Sequence, residues 1–74
     1  MKERKYNVYP KLKYYRAEYN LSMEDMAKKL NISKNAYFQK ENGYTPFYLE
    51  EIKKILDIFN CNFNDIFFKN NVNQ

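Results

Sequence analysis

Between Ile32 and Tyr44 the chain reads ISKNAYFQKENGY. Ser33, Lys34, Asn35 and Gln39 bring hydrogen-bonding groups into one short stretch, and no acidic residue interrupts them before Glu41. A side-chain amide offers donor and acceptor in one plane, whereas an ammonium only donates. Such a set suits the edge-on recognition of polar surfaces: asparagine and glutamine match adenine, and lysine matches guanine. The plainer reading is a solvated helix face. Catalysis has less to draw on, because the chain has no histidine and acid–base chemistry usually uses histidine or a pocketed carboxylate pair. The acidic pairs, Glu24 with Asp25 and Glu50 with Glu51, stand at expected helix starts. Negative charge there favours the helix dipole by about 0.3–1 kcal/mol. Ser22 and Ser33 occupy N-cap positions and have no base beside them. The single cysteine, Cys61, allows no disulfide within the chain and no His/Cys zinc site. No enzyme activity, metal or cofactor is therefore expected.

The elements that must position these side chains follow from apolar spacing and caps. The 74 residues suffice for one small domain, and a domain of this size buries only about 60% of its unfolded surface. Five short helices and no strand are predicted. The first runs from about Pro10 to Tyr19, with Leu12, Tyr15 and Tyr19 on one face. The second starts after Ser22, where Asp25 completes a near capping box, and stops at Asn31. Ser33 caps the third, which runs to about Asn42 and is closed by Gly43. The fourth carries Leu49, Ile52, Ile55, Leu56 and Phe59 and ends at Asn60; it starts either at Thr45–Pro46 or near Tyr48. Asn62 and Asp65 open a fifth. Residues 1–9 read as an amino-terminal arm, 10–68 as the domain and 69–74 as a tail. The expected core is Leu12, Tyr15, Leu21, Met26, Ala27, Leu30, Ile32, Tyr37, Leu49, Ile52, Ile55, Leu56, Phe59, Cys61, Phe63 and Ile66. No apolar run approaches the roughly 18 residues of a membrane helix, and the start has no signal-peptide pattern. A soluble, cytoplasmic protein is expected. The net charge of +4 is compatible with nucleic-acid binding without requiring it.

From Leu12 to Phe67 the chain resembles the lambda-repressor-like, or Cro-like (XRE), helix-turn-helix family. The resemblance rests on Arg16, on LSMEDMAKKLNIS for the family's Leu-Ser-Gln-Glu-Glu-Leu-Ala-x-x-Leu-Gly-Val-Ser, on ENG at Glu41 to Gly43, and on a Leu-x-x-Ile stripe followed by FNDIF. It implies a compact all-α domain of five helices in which helices two and three form the helix-turn-helix. It also implies a mostly buried ion pair between Arg16 and Glu41. The family usually has glycine where this chain has Asn20, Asn31 and Asn60, and asparagine is the best non-glycine residue for positive φ. Gly43 is retained, as expected where the backbone must approach either a phosphate or the next loop. Met23 replaces a glutamine that contacts phosphate. Lys40 replaces an apolar residue, its stem expected across the core and its ammonium in solvent. Tyr37 and Phe38 are bulkier than the family's residues there.

The resemblance places the first turn of helix three in the DNA major groove, with Ser33, Lys34, Asn35, Phe38 and Gln39 facing the bases. Asn42, Tyr44 and Thr45 match positions that face the DNA backbone, with Lys11 and Lys13 adding charge. Family members commonly bind two-fold operators as homodimers. Phe67 and Phe68 are the expected dimer surface, in preference to Phe68 folding under the arm with Tyr6, Val8 and Tyr9. The function implied is a sequence-specific transcriptional regulator, a repressor of bacterial, phage or mobile-element origin. It would bind double-stranded DNA and no membrane or small-molecule ligand. The competing reading is a helix-turn-helix-derived protein-interaction module or antitoxin with weak or no DNA binding, motivated by Met23, Lys40 and the Tyr37–Phe38 pair.

Overall fold

Three asparagine–apolar pairs, Asn20-Leu21, Asn31-Ile32 and Asn60-Cys61, end three helices by the same device. Each asparagine is left-handed, with φ of 56°, 60° and 51° respectively. The following N–H donates back five residues, Leu21 to the Arg16 carbonyl, Ile32 to Ala27 and Cys61 to Leu56, at 2.9–3.1 Å. This six-to-one closure satisfies a carbonyl that the helix end would otherwise leave orphaned. It also turns an apolar residue inward, and Leu21, Ile32 and Cys61 all pack against the core.

The computed structural model describes residues 3–68. The helices are α1 (Pro10–Glu18), α2 (Met23–Leu30), α3 (Lys34–Glu41), α4 (Leu49–Phe59) and α5 (Phe63–Ile66), and no strand occurs among the described residues. At the start of α2 the Ser22 N–H donates to Asp25 Oδ2 at 2.9 Å and the Asp25 N–H to Ser22 Oγ at 3.0 Å. This full capping box holds the Asp25 carboxyl below its ordinary pKa, mainly through the Ser22 backbone bond. Of the two possible starts of α4, the chain uses the later one. The Tyr48 N–H donates to Glu51 Oε1 at 2.8 Å, so the carboxylate satisfies a donor at the helix entrance. Thr45 and Pro46 lie in the connection before it.

α2 packs on α3 and α4, and α1 on α5. Leu12, Met26, Ala27, Leu30, Tyr37, Ile55, Phe59 and Ile66 are buried at the centre. Tyr15, Leu21, Ile32, Ile52, Leu56 and Cys61 are partly buried against them. Burial raises the pKa of the Cys61 thiol, which behaves as a small apolar group. Two members of the expected core lie outside it. Leu49 is 65% exposed, because as the first residue of α4 it precedes the turn whose Ile52 and Ile55 face inward. Phe63 is 47% exposed, at the first position of α5.

Phe67 corrects the assignment of both terminal phenylalanines to the surface: it is 3% exposed. Its ring meets Tyr9 at 4.9 Å, Phe47 at 5.8 Å and Phe63 at 5.7 Å between centroids. Tyr9 and Phe47 belong to no helix, so helical spacing carried no sign of them. Phe68 is 60% exposed and lines a cleft with Val8, Pro10, Lys11 and Asn64. Far from this cleft, Tyr19 ties α1 to the end of α4. Its ring lies 5.0 Å from that of Phe59, and its hydroxyl donates to the Phe59 carbonyl at 3.1 Å.

Candidate nucleic-acid interface

α3 divides cleanly into two faces. Tyr37, Lys40 and Glu41 are buried, whereas Lys34, Asn35 and Phe38 are exposed and Gln39 is half-buried. The helix begins at Ser33, whose Oγ accepts from the Ala36 N–H at 3.0 Å. Ser33 is therefore committed as a cap, although it stays exposed at the same end as Lys34 and Asn35.

The inward face is held by a buried polar network. Arg16 reaches from α1 and donates through Nε to Glu41 Oε2 at 2.8 Å and through Nη2 to Oε1 at 3.1 Å. Its Nη1 donates to the Leu21 carbonyl at 3.0 Å, beside the Asn20 turn. The Tyr37 hydroxyl donates to Glu41 Oε2 at 2.7 Å. The carboxylate is completely buried and receives three donors on two oxygens. Bidentate charge-assisted bonding of this kind fixes orientation as well as adding energy. The Glu41 bond holds the Arg16 pKa above its ordinary value against the opposing effect of burial. Burial, followed by the charge of Glu41, drives the Tyr37 phenol far above its own. The bulk of Tyr37 thus has a polar purpose: its hydroxyl completes the ion pair.

Lys40 departs from the placement expected of it. Its ammonium does not reach solvent; it donates to the Pro46 carbonyl at 3.0 Å and pairs with Glu51 Oε1 at 3.1 Å. It also lies 4.1 Å from the Tyr48 ring centroid. One carboxylate oxygen therefore serves both the entrance of α4 and the ammonium from α3. Met23, at the start of α2, is half-buried against the core.

The positions expected to face the DNA backbone are spread over several environments. Asn42 is 8% exposed, and its amide donates to the Phe38 carbonyl at 2.9 Å. Tyr44 and Thr45 are half-buried, and both backbone N–H groups donate to the Gln39 carbonyl. The Tyr44 ring lies 6.4 Å from that of Phe38. Lys13 is exposed on α1, while Lys11 lies along the cleft that also holds Phe68, on the side of α1 that meets α5.

Helical periodicity missed the segment that crosses the end of α3. The Lys5 and Tyr6 N–H groups both donate to the Gly43 carbonyl at 3.0 Å, and Arg4 Nε donates to the Asn42 carbonyl at 2.9 Å. Gly43 has φ +81°, and a Cβ on it would stand 2.7 Å from the Tyr6 carbonyl oxygen. What approaches this glycine is the amino-terminal segment of the same chain, not the next loop. The sequence signal was the retained Gly43, which marked a close backbone approach without naming what approaches.

An all-helical domain in which α2, the Asn31–Ile32 turn and α3 present one polar helix face outward is a helix-turn-helix domain. A helix-turn-helix family profile matches residues 12–66, and the chain belongs to that family, of the lambda-repressor-like (XRE) type. It is 44% identical over 57 residues to an uncharacterized HTH-type transcriptional regulator of Methanocaldococcus jannaschii, a match covering 77% of this chain and 86% of the relative. Among the described residues no helix is long and apolar enough to cross a membrane. No group of three or more histidine, cysteine or acidic residues suited to a metal occurs among them either.

Proposed function

We propose that this protein is a sequence-specific DNA-binding transcriptional regulator, a cytoplasmic repressor without enzymatic activity, that reads the major groove with α3. The observation that carries the reading is the division of α3. Its buried face is fastened through Arg16, Tyr37 and Glu41, leaving Lys34, Asn35 and Phe38 outward with Gln39 beside them. Asn35 and Gln39 supply amides for adenine, Lys34 a donor for guanine and Phe38 an apolar edge for a thymine methyl. Asn42, Tyr44, Thr45 and Lys13 lie nearest the role of register-setting backbone contacts, which carry no sequence information themselves. Lys11 serves that role less well from its position beside Phe68. The transcriptional role is supported by the family and by the relative from Methanocaldococcus jannaschii.

The protein acts as a homodimer on a two-fold operator, with half-site centres about 10–10.5 base pairs apart. Phe68 and its cleft with Pro10 and Lys11 form the dimer surface; buried Phe67 supports it from within. Two of the departures that favoured a protein-interaction module weigh less once placed: Tyr37 and Lys40 face inward, away from the outer face of α3.

Selection of duplexes from a randomised pool at about 150 mM salt tests this reading, with specific binding expected to exceed non-specific binding by at least about a thousandfold. Asn35→Ala and Gln39→Ala are each expected to cost about 1–3 kcal/mol on the selected site, and the exposed Asn35→Ala to leave thermal unfolding nearly unchanged. A pool that yields no enriched palindrome would return the interaction module or antitoxin as the better account.

A further inference from the structure

The amino-terminal segment carries contacts that the reading of α3 leaves unused. Residues 3–8 form neither helix nor strand, yet three hydrogen bonds hold them to the last carbonyls of α3 and its exit: Lys5 and Tyr6 to Gly43, and Arg4 to Asn42. Gly43 makes the approach possible, since a side chain there would collide with the Tyr6 carbonyl at 2.7 Å. Anchored in this way, Arg4 sets its guanidinium carbon 5.7 Å from the centroid of the Tyr44 ring. Tyr44 in turn lies against Phe38 at 6.4 Å. Arg4, Tyr44 and Phe38 thus form a row that runs from the arm onto the outer face of α3. Among the described residues no carboxylate pairs with Arg4, so its charge is not neutralised by the described part of the chain.

We infer that Arg4 is a phosphate-contacting residue of the DNA interface, held at the margin of the α3 face by the arm anchored on Gly43, with exposed Lys5 adding charge beside it. The inference rests on the reading of α3 as the DNA-facing helix. With Nε engaged on the Asn42 carbonyl, the two terminal nitrogens can take a phosphate side by side, the geometry in which arginine surpasses lysine. A ring beneath the guanidinium limits its freedom before DNA arrives, and less ordering remains to be lost on binding. Such a contact strengthens binding to every sequence alike.

The test titrates the intact protein against two labelled duplexes, one selected by the wild type and one of randomised sequence, between about 50 and 300 mM salt. Arg4→Ala should weaken both complexes several-fold and reduce the slope of log K against log salt by about 0.9. Arg4→Lys should keep the slope, because the charge remains, and bind more weakly than wild type. Lys53→Ala, which removes an exposed charge on α4, should match wild type. An Arg4→Ala protein with wild-type affinity and slope overturns the assignment while leaving the reading of α3 in place. Equal losses from Arg4→Ala and Lys53→Ala would also overturn it, because bulk charge would then be the cause. Failure of the wild type to bind either duplex removes the reading of α3 and the inference together.

Discussion

Tyr37 occupies a helix position where a smaller or aliphatic residue would pack, and its hydroxyl explains why it is there. Glu41 Oε2 accepts from both Arg16 and Tyr37 with no exposure to water. Removing one donor from a buried carboxylate costs about 1–3 kcal/mol, and Tyr37→Phe should lower stability by about that amount. The same substitution should alter the alkaline limit. Because burial and the Glu41 charge raise the folded-state pKa of Tyr37, the native protein keeps this phenol proton after the unfolded chain begins to lose it, near its ordinary pKa of about 10. The stabilisation is complete below that pH and falls as pH rises beyond it. Urea unfolding at pH 8 and about pH 10.5 should therefore show a larger loss for wild type than for Tyr37→Phe. Equal losses would mean that Tyr37 contributes nothing to the alkaline response.

Between elements, the most informative joint is that of α3 with α4. Lys40 and Glu51 are both largely buried, with side chains 8% and 12% exposed. Breaking one side of such a pair is costlier than replacing it by an apolar group, since the partner is left charged without compensation. Lys40→Met leaves the Glu51 carboxylate without its cation, with the Tyr48 N–H as its remaining donor, and should cost about 1–3 kcal/mol. Glu51→Ala strands the ammonium and removes the acceptor for the Tyr48 N–H, and should cost about 2–4 kcal/mol. Chemical denaturation of the two variants and their combination would measure the coupling. If Lys40→Met proved the more damaging, the joint would depend on the ammonium at the Pro46 carbonyl. The three asparagine-ended helices show the same economy of means, one backbone device repeated wherever a helix must stop and send an apolar residue inward.

For the whole molecule, the arm decides how much of the chain acts as one body. Its hydrogen bonds to Asn42 and Gly43 connect residues 4–6 to the exit of α3, and Tyr9 on Phe67 connects the segment to the end of α5. Gly43→Ala meets two obstacles, a left-handed φ and the Tyr6 carbonyl. It should destabilise the protein by about 1–3 kcal/mol and release the arm. Hydrogen exchange at the Lys5 and Tyr6 amides should accelerate in this variant by more than at the Leu21, Ile32 and Cys61 amides at the helix ends. Unchanged protection at Lys5 and Tyr6 would show that the arm is held by something other than the Gly43 carbonyl.

How far the fold was legible in the sequence depended on how local each signal was. Helix number, the caps at Ser22 and Ser33, the left-handed asparagines and most of the core come from interactions within a few residues, and the pattern exposed them directly. Leu49 and Phe63 were misplaced because a first-turn residue shares its helix's apolar period without sharing its buried face. The division of α3 was visible only in outline, as polar and aromatic types alternating between Ile32 and Tyr44. Four features required the tertiary structure: the burial of Phe67 under Tyr9 and Phe47, the capture of Lys40 by Glu51 and Pro46, the hydroxyl of Tyr37 on Glu41, and the crossing of Gly43 by the arm. Except for Tyr37 and Glu41, one turn apart on α3, each joins a helix, or the residues just beyond its end, to a segment without helical period, or joins two helices through a charge. Sequence alone determined the helices and, apart from the start of α4, their ends, because those depend on neighbours along the chain. Only the folded molecule decided which polar groups are enclosed, because enclosure depends on atoms brought together from distant parts of it.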